Sequence, residues 1–187
     1  MMNIYNITFI VEAEIAAEAA HALCPTKTII GIPTLTAKSW IHTVNGPVDL
    51  LVVAVRQEDC VAVTLAVHHE NIRFPKLSGP KVHMEAVVQL GEHYPTPPPE
   101  PADLDHAEAC TLTVSDYYLG GHTFHGPTLH GMTSLGQRST DGARSEFATR
   151  NDATILGLSD AQFILDPLLL DTATHPMMSA CPEIWNS

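Results

Sequence analysis

The sequence has little positive charge for its length. Nine Lys and Arg residues stand against 21 Asp and Glu, which gives a formal net charge of -12 with His counted neutral. Binding to nucleic acid needs clustered basic residues against the phosphates, and anionic membranes attract basic segments. We therefore expect neither nucleic acid nor a membrane as a partner. Charged residues make up 16% of the chain and apolar residues 45%, which favours a folded protein with a large interior.

Cysteine motifs, signal-peptide features and long apolar runs are also missing. The cysteines Cys24, Cys60, Cys110 and Cys181 are widely spaced and form no C-x-x-C pair, which excludes zinc-knuckle and redox motifs. Scattered cysteines of this kind are usually buried free thiols. The N-terminal residues lack a basic n-region, and no uncharged apolar run reaches the roughly 18 residues that span a bilayer. These features predict a cytoplasmic protein.

The first ninety residues combine one helix with several strands. Residues 11–23 are rich in Ala, Glu and Leu, which favour a helix, and Cys24-Pro25 ends it. Runs rich in Val, Ile and Thr follow, bounded by Gly, Pro, Asn or Asp. These runs predict an antiparallel set of strands over 27–32, 49–55, 60–68 and 82–90.

A proline-rich segment follows, in which five of the seven residues 95–101 are prolines. Such a segment favours an extended, semi-rigid connector, although a proline-rich recognition peptide is an alternative. We predict an N-terminal half over 1–92, a linker over 93–108 and a C-terminal half over 109–187. In that second half, the sequence predicts strands over 110–114, 132–137 and 144–149 and a helix near the end.

The last predicted helix carries the most informative pair, Asp171 and His175, which are four residues apart and share one helix face. Asp166 suits the N-cap and Pro167 the first turn, while three leucines bury the helix. Pro176 requires the helix to kink or end nearby. From the residues alone, the pair is either an acid/base site or a structural ion pair.

Three stretches together resemble a known family. Residues 163–175 fit a D-x-x-x-Q/H motif after a Leu-Leu-Asp lead-in, and residues 124–131 are similar to a Tyr-Gly-Pro-x-Phe segment. In the second stretch, His125 replaces the tyrosine and Leu129 the phenylalanine, and Asp116-Tyr117-Tyr118 fits the preceding strand. The helix from Phe9 onward is similar to a first hot-dog helix. The chain resembles the dehydratase domains of polyketide synthases.

This resemblance implies an α+β double hot-dog with two antiparallel sheets, each wrapped on a long helix, and a truncated second half. It also implies removal of water from a β-hydroxyacyl thioester in a polyketide or polyunsaturated fatty acid synthase. Asp171 would be the acid, and His175 would orient it or the substrate hydroxyl. The expected substrate-binding residues are His125, Gly126, Pro127 and Leu129.

The family's partners and substrate carrier follow from the same resemblance. The substrate would be carried on the phosphopantetheine arm of an acyl carrier protein, with no further cofactor. Other synthase domains would be neighbours, and the parent protein would be a homodimer. The spacing of His122, His125 and His130 matches no zinc pattern, so we predict no metal site.

The sequence departs from the family pattern at both ends. The family's catalytic histidine belongs to an H-x-x-x-G-x-x-x-x-P motif ahead of the first helix, and none of the eleven histidines here lies in such a motif. The family pattern also continues with further strands after the second helix. We therefore expect an incomplete dehydratase. The alternatives are an inactive module that binds acyl chains or braces the synthase, or another hot-dog enzyme such as an acyl thioesterase.

Overall fold

The computed structural model describes residues 6–7, 9–42, 46–69, 78–120, 123, 126–148 and 163–176. The chain divides into two compact units, Met1–Pro97 and Pro98–Ser187. The division falls inside the proline-rich segment, and the limits of the 93–108 linker stay a prediction. No helix in the described part of the chain is long and apolar enough to cross a membrane.

The first unit contains one long helix and an antiparallel sheet. Helix α1 spans Phe9–Leu23, and a two-residue strand β1 (Asn6–Ile7) pairs with β3 (Ile41–His42). The main sheet has the spatial order β2-β6-β5-β4 and consists of β2 (Thr28–Ala37), β4 (Leu50–Gln57), β5 (Cys60–His69) and β6 (Gly79–Gly91). All four strands lie where Val, Ile and Thr predicted them, because β-branched side chains suit a pleated surface.

Helix α1 packs against this sheet through alanines. It contacts β2, β4, β5 and β6, and small side chains let the helix backbone come close to the strands. The buried core of the unit contains Ala13, Ala16, Ala17, Ala20, Val61, Val63, Leu65, Met84 and Val88. Burial of one Val or Leu side chain stabilises a fold by about 1.5–3 kcal/mol, so this layer accounts for much of the unit's stability.

Two carboxyl groups near the start of α1 are buried. Glu12 and Glu14 suit the positive end of the helix dipole, but they are only 2% and 4% exposed. Burial raises the pKa of Glu12 from 4.5 to about 7, since a carboxylate loses its hydration there. Desolvation therefore outweighs the dipole at this position.

The second unit contains a three-stranded antiparallel sheet and short helices. The sheet order is β7-β8-β9, with β7 at Glu108–Ala109, β8 at Met132–Ser139 and β9 at Gly142–Phe147. The helices are α2 (Val114–Leu119), a 3-10 turn (Pro127–Leu129) and α3 (Pro167–Thr172). Strands β8 and β9 and helix α3 confirm the sequence predictions, although α3 has six residues rather than the length of α1.

Helix α2 replaces strands that the sequence predicted. The strand expected over 110–114 is absent, and Tyr117 and Tyr118 lie on a helix rather than in a strand. Thr113 caps the helix, since its Oγ1 accepts a bond from Asp116 N at 3.0 Å while the Asp116 carboxylate accepts from Thr113 N at 3.4 Å. This reciprocal capping box satisfies the first backbone N–H groups and favours helix over strand.

Strand β4 forms one edge of the first sheet and is unusually apolar there. Leu51, Val52, Val53 and Val55 are between 37% and 53% exposed, on both faces of the strand. No described strand pairs with its outer edge. Exposed, apolar edge strands are templates for pairing with another chain.

Glu12→Gln should remove a pH dependence of stability. Below pH 4.5 the Glu12 carboxyl is protonated whether the chain is folded or unfolded. Between pH 4.5 and 7 the unfolded chain loses the proton first, so the free energy of unfolding falls as the pH rises, by at most about 3 kcal/mol. Urea denaturation from pH 4 to 8 should show this fall in the wild type and a flatter profile in the variant. The exposed Glu18→Gln is the control, and equal profiles for all three proteins would contradict the assignment.

Val53→Lys should reduce self-association of the chain. A lysine on the β4 edge opposes strand pairing through charge and hydration. Sedimentation velocity at increasing concentration should show larger species for the wild type than for the variant. Leu119→Lys introduces the same charge at an exposed apolar position outside the sheets and should leave the wild-type distribution unchanged. A wild type that stays monomeric over the whole range would contradict the prediction.

Candidate active site

Helix α3 positions the Asp171–His175 pair. Asp166 caps it through Oδ1, which accepts from Leu169 N at 2.9 Å, and Pro167 occupies the first helical position. The helix ends at Thr172 because the ring of Pro176 would clash with the carbonyl four residues earlier. The predicted cap is confirmed, but α3 ends three residues before His175, so His175 lies beyond this helix and not on one face of it with Asp171 as predicted.

Asp171 and His175 are brought together in the interior of the second unit. Asp171 is 7% exposed and His175 is completely buried. His175 Nε2 lies 3.3 Å from Asp171 Oδ2, at ion-pair distance but without the alignment of a hydrogen bond. The turn between them is closed by Thr174, whose Oγ1 donates to the Asp171 carbonyl at 2.7 Å. Ionisable groups buried this deeply need polar partners, because desolvation disfavours their charged forms.

Two adjacent tyrosines supply such partners, and no site role was predicted for either of them. The Tyr117 hydroxyl donates to the His175 carbonyl at 3.1 Å. The Tyr118 hydroxyl lies 3.1 Å from His175 Nδ1 and accepts a bond from Met132 N at 3.2 Å. The capping box from Thr113 to Asp116 is the sequence signal that could have found them, because it predicts a helix that carries both tyrosines.

Burial keeps both tyrosines protonated near neutral pH. Burial, and to a smaller extent the neighbouring Tyr118, raise the pKa of Tyr117 to about 12. Burial also raises the pKa of Tyr118, although the nearby backbone N–H groups of Met132 and Gly131 act in the opposite direction. Both hydroxyls therefore keep the hydrogen that each can donate.

The segment around Gly126 lies beside α3, but its residues differ in burial. Gly126 and Pro127 are exposed and Leu129 is half-buried, while His125 and His122 lie outside the described residues. His130 stacks on Tyr118 with ring centroids 3.8 Å apart. The substrate-binding roles expected for His125, Gly126, Pro127 and Leu129 stay predictions.

Gly131, rather than Gly126, is where the backbone makes a close approach. A Cβ at Gly131 would lie 2.5 Å from Thr172 Oγ1 and 3.2 Å from Leu168 Cγ. A Cβ at Gly126 would meet no atom within 4 Å. The loop can reach α3 only because Gly131 has no side chain.

A cavity of about 470 Å³ opens in the second unit beside α3. The proline-rich segment contributes Glu100 and Pro101 to it, and α3 with its following turn contributes Ala173 and Pro176. Asp171 and His175 do not line it. Within the described ranges, no group of three or more His, Cys, Asp or Glu side chains is placed to hold a metal ion.

Gly131→Ala should destabilise the second unit by about 1–3 kcal/mol, because the added methyl overlaps with the buried Thr172 and Leu168 side chains. Gly126→Ala adds the same methyl in open space and should change the free energy of unfolding by less than about 0.5 kcal/mol, as an unstrained surface substitution. Urea denaturation of the two variants measures the difference. Equal stabilities would show that Gly131 does not limit the approach of the loop to α3.

Similar proteins are found among solved structures. No protein-family model and no curated protein matches the chain. The dehydratase domain of the polyketide synthase PpsC from Mycobacterium tuberculosis matches with 19% identity and a TM-score of 0.66, over 96% of this chain and 64% of that one. A single-residue variant of that domain matches with 19% identity and a TM-score of 0.64, over 96% and 62%.

A third structure comes from work on dehydratase substrate selection for the borrelidin and fluvirucin polyketide synthases. It matches with 19% identity and a TM-score of 0.56, over 94% of this chain and 60% of that one. The chain thus spans about three fifths of the length of these domains. At these identities the likeness concerns the fold, and it confirms the predicted resemblance: this chain has the α+β hot-dog fold of the polyketide synthase dehydratase domains.

Proposed function

We propose that the chain is a dehydratase domain, or a large part of one, from a polyketide or polyunsaturated fatty acid synthase. Its reaction would remove water from a β-hydroxyacyl thioester carried by an acyl carrier protein. The observation that supports this most directly is the buried Asp171–His175 contact at 3.3 Å. The shared fold adds support, because it provides the same framework as the dehydratase domains.

Elimination needs one group to take the α-proton and another to protonate the departing hydroxyl. Asp171 is proposed as the acid, which gives its proton to the β-hydroxyl so that water leaves and a double bond forms. The site suits this step because few solvent molecules reach it: Asp171 is 7% exposed. A proton held there is delivered to bound substrate rather than exchanged with water.

The base is not assigned to any residue of these 187. No histidine here lies in an H-x-x-x-G-x-x-x-x-P motif, which is the position that the family resemblance gives to the base. This observation favours a second candidate function, a catalytically inactive dehydratase-like module that binds acyl chains or braces a synthase. The retained Asp171 favours the first.

We also propose partners and a cellular compartment for this protein. An acyl carrier protein would present the substrate on its phosphopantetheine arm, other synthase domains would be neighbours, and the parent would be a homodimer in the cytoplasm. Cys24, Cys60 and Cys110 are free thiols, which agrees with a reducing compartment.

A thioester assay separates the two candidate functions. The 187-residue chain should convert little or no β-hydroxyacyl N-acetylcysteamine thioester to the unsaturated product, measured by liquid chromatography and mass spectrometry. A chain extended ahead of Met1 to carry the histidine motif should turn the substrate over. In that chain, Asp171→Asn should lower kcat at least about 100-fold, the usual scale of a general acid.

Asp166→Asn is the matched control on the same helix, because Asn caps a helix as well as Asp does. It should leave kcat within a factor of about two, since it lies outside the proposed chemistry. Substantial turnover by the 187-residue chain would show that the base lies within it. Near wild-type turnover by Asp171→Asn would remove Asp171 from the acid role.

A further inference from the structure

The hydroxyl of Tyr118 lies at the centre of the polar cluster in the second unit. Its oxygen is 3.1 Å from His175 Nδ1, and the Met132 N–H donates to it from 3.2 Å. Three elements, α2, β8 and the turn after α3, therefore meet at one oxygen atom.

Counting donors and acceptors gives the direction of the Tyr118–His175 bond. A phenolic hydroxyl has one hydrogen to donate and two lone pairs to accept. The Met132 N–H uses one lone pair, and His175 Nδ1 is the acceptor within hydrogen-bonding reach of the hydroxyl among the residues that the structure describes. If Nδ1 donated instead, this buried hydroxyl would have no such acceptor for its own hydrogen, so we assign that hydrogen to the bond with Nδ1, which accepts.

The ring of Tyr118 has little freedom to turn away from this bond. It stacks on His130 with an angle of 12° between the rings and meets Tyr117 edge-on at 5.3 Å. The residue is 8% exposed and lies on α2, whose N-terminus is stabilised by a capping box. The hydroxyl is thus held in place by packing as well as by its hydrogen bonds.

We infer that Tyr118 is a positioning residue, which fixes neutral His175 as the tautomer with its hydrogen on Nε2. Because Nδ1 accepts from Tyr118, the one hydrogen of a neutral imidazole must be on Nε2. Nε2 lies 3.3 Å from Asp171 Oδ2, so this N–H lies beside the carboxyl group, at ion-pair distance and without the alignment of a hydrogen bond. Tyr118 therefore acts on Asp171 through His175.

The catalytic value of this arrangement rests on the proposed dehydratase function. When Asp171 gives its proton to the departing hydroxyl, a carboxylate forms in a buried place. The partial positive charge of an N–H at 3.3 Å from Oδ2 stabilises this carboxylate electrostatically, while the proton leaves from the other carboxyl oxygen. The α-proton goes to the separate base, so the proton count of the step is balanced.

The tautomer is measured directly by long-range proton–nitrogen correlation spectra of the full chain labelled with ¹⁵N-histidine. His175→Gln identifies the His175 signals by their loss. In the wild type, Nε2 should have the shift of a protonated ring nitrogen, and Nδ1 that of an unprotonated nitrogen accepting a hydrogen bond. A protonated Nδ1 in neutral wild-type His175 would overturn the inference without any further variant.

Tyr118→Phe and Tyr117→Phe form a matched pair, because each removes one buried hydroxyl that contacts His175. Tyr117 contacts the backbone carbonyl and Tyr118 the imidazole. Tyr118→Phe should move the Nδ1 signal towards that of a nitrogen without a donor, while Tyr117→Phe should leave both ring nitrogens unchanged. Identical imidazole signals in the wild type and Tyr118→Phe would overturn the inference.

In the extended, active chain, Tyr118→Phe should lower kcat about tenfold with little change in KM, since an interaction made in the transition state is lost. Tyr117→Phe should lower kcat less. The nitrogen spectra need no turnover, so failure of the tautomer assignment is distinguishable from failure of the dehydratase function. Equal kcat values for the wild type and Tyr118→Phe would deny Tyr118 any positioning role in catalysis.

Discussion

Burial of the His175 imidazole is the constraint on which the second unit depends. An ionisable ring without solvent contact must find its hydrogen-bonding partners within the protein. Tyr117 binds its carbonyl, Tyr118 its Nδ1, and Asp171 faces its Nε2. These partners come from α2 and α3, and Met132 extends the network to β8. The need of His175 for hydrogen-bonding partners therefore fixes the mutual positions of two helices and a strand.

Short sequence patterns predicted those helices and strands that neighbouring residues in the chain are enough to specify. Asp166-Pro167 predicted the beginning of α3, and Val-rich runs predicted β4, β5 and β6. The burial of single side chains has a different origin, since it depends on tertiary packing that no short sequence pattern reports. Glu12 is buried although a charged group suits the helix dipole there, and the large aromatic side chain of Trp40 is 61% exposed. The α2 helix is an exception, because its capping box is visible in the sequence from Thr113 to Asp116.

The candidate site was predictable in part for the same reason. Asp171 and His175 are four residues apart, so local spacing was enough to bring them together. Tyr118 is 57 residues from His175 along the chain, and only the tertiary fold connects them. The fold itself is shared with dehydratase domains, but at 19% identity the proposed chemistry depends on the buried pair rather than on the likeness.

Tyr117 contacts the backbone of residue 175 and Tyr118 contacts its side chain, and this difference has an evolutionary consequence. Tyr117 holds the backbone of that residue through its carbonyl, whatever side chain the residue carries. Glutamine and histidine, the two residues of the D-x-x-x-Q/H motif, can therefore be exchanged there while the backbone anchor is retained. Such a site can change its chemistry in a single step without first losing its architecture.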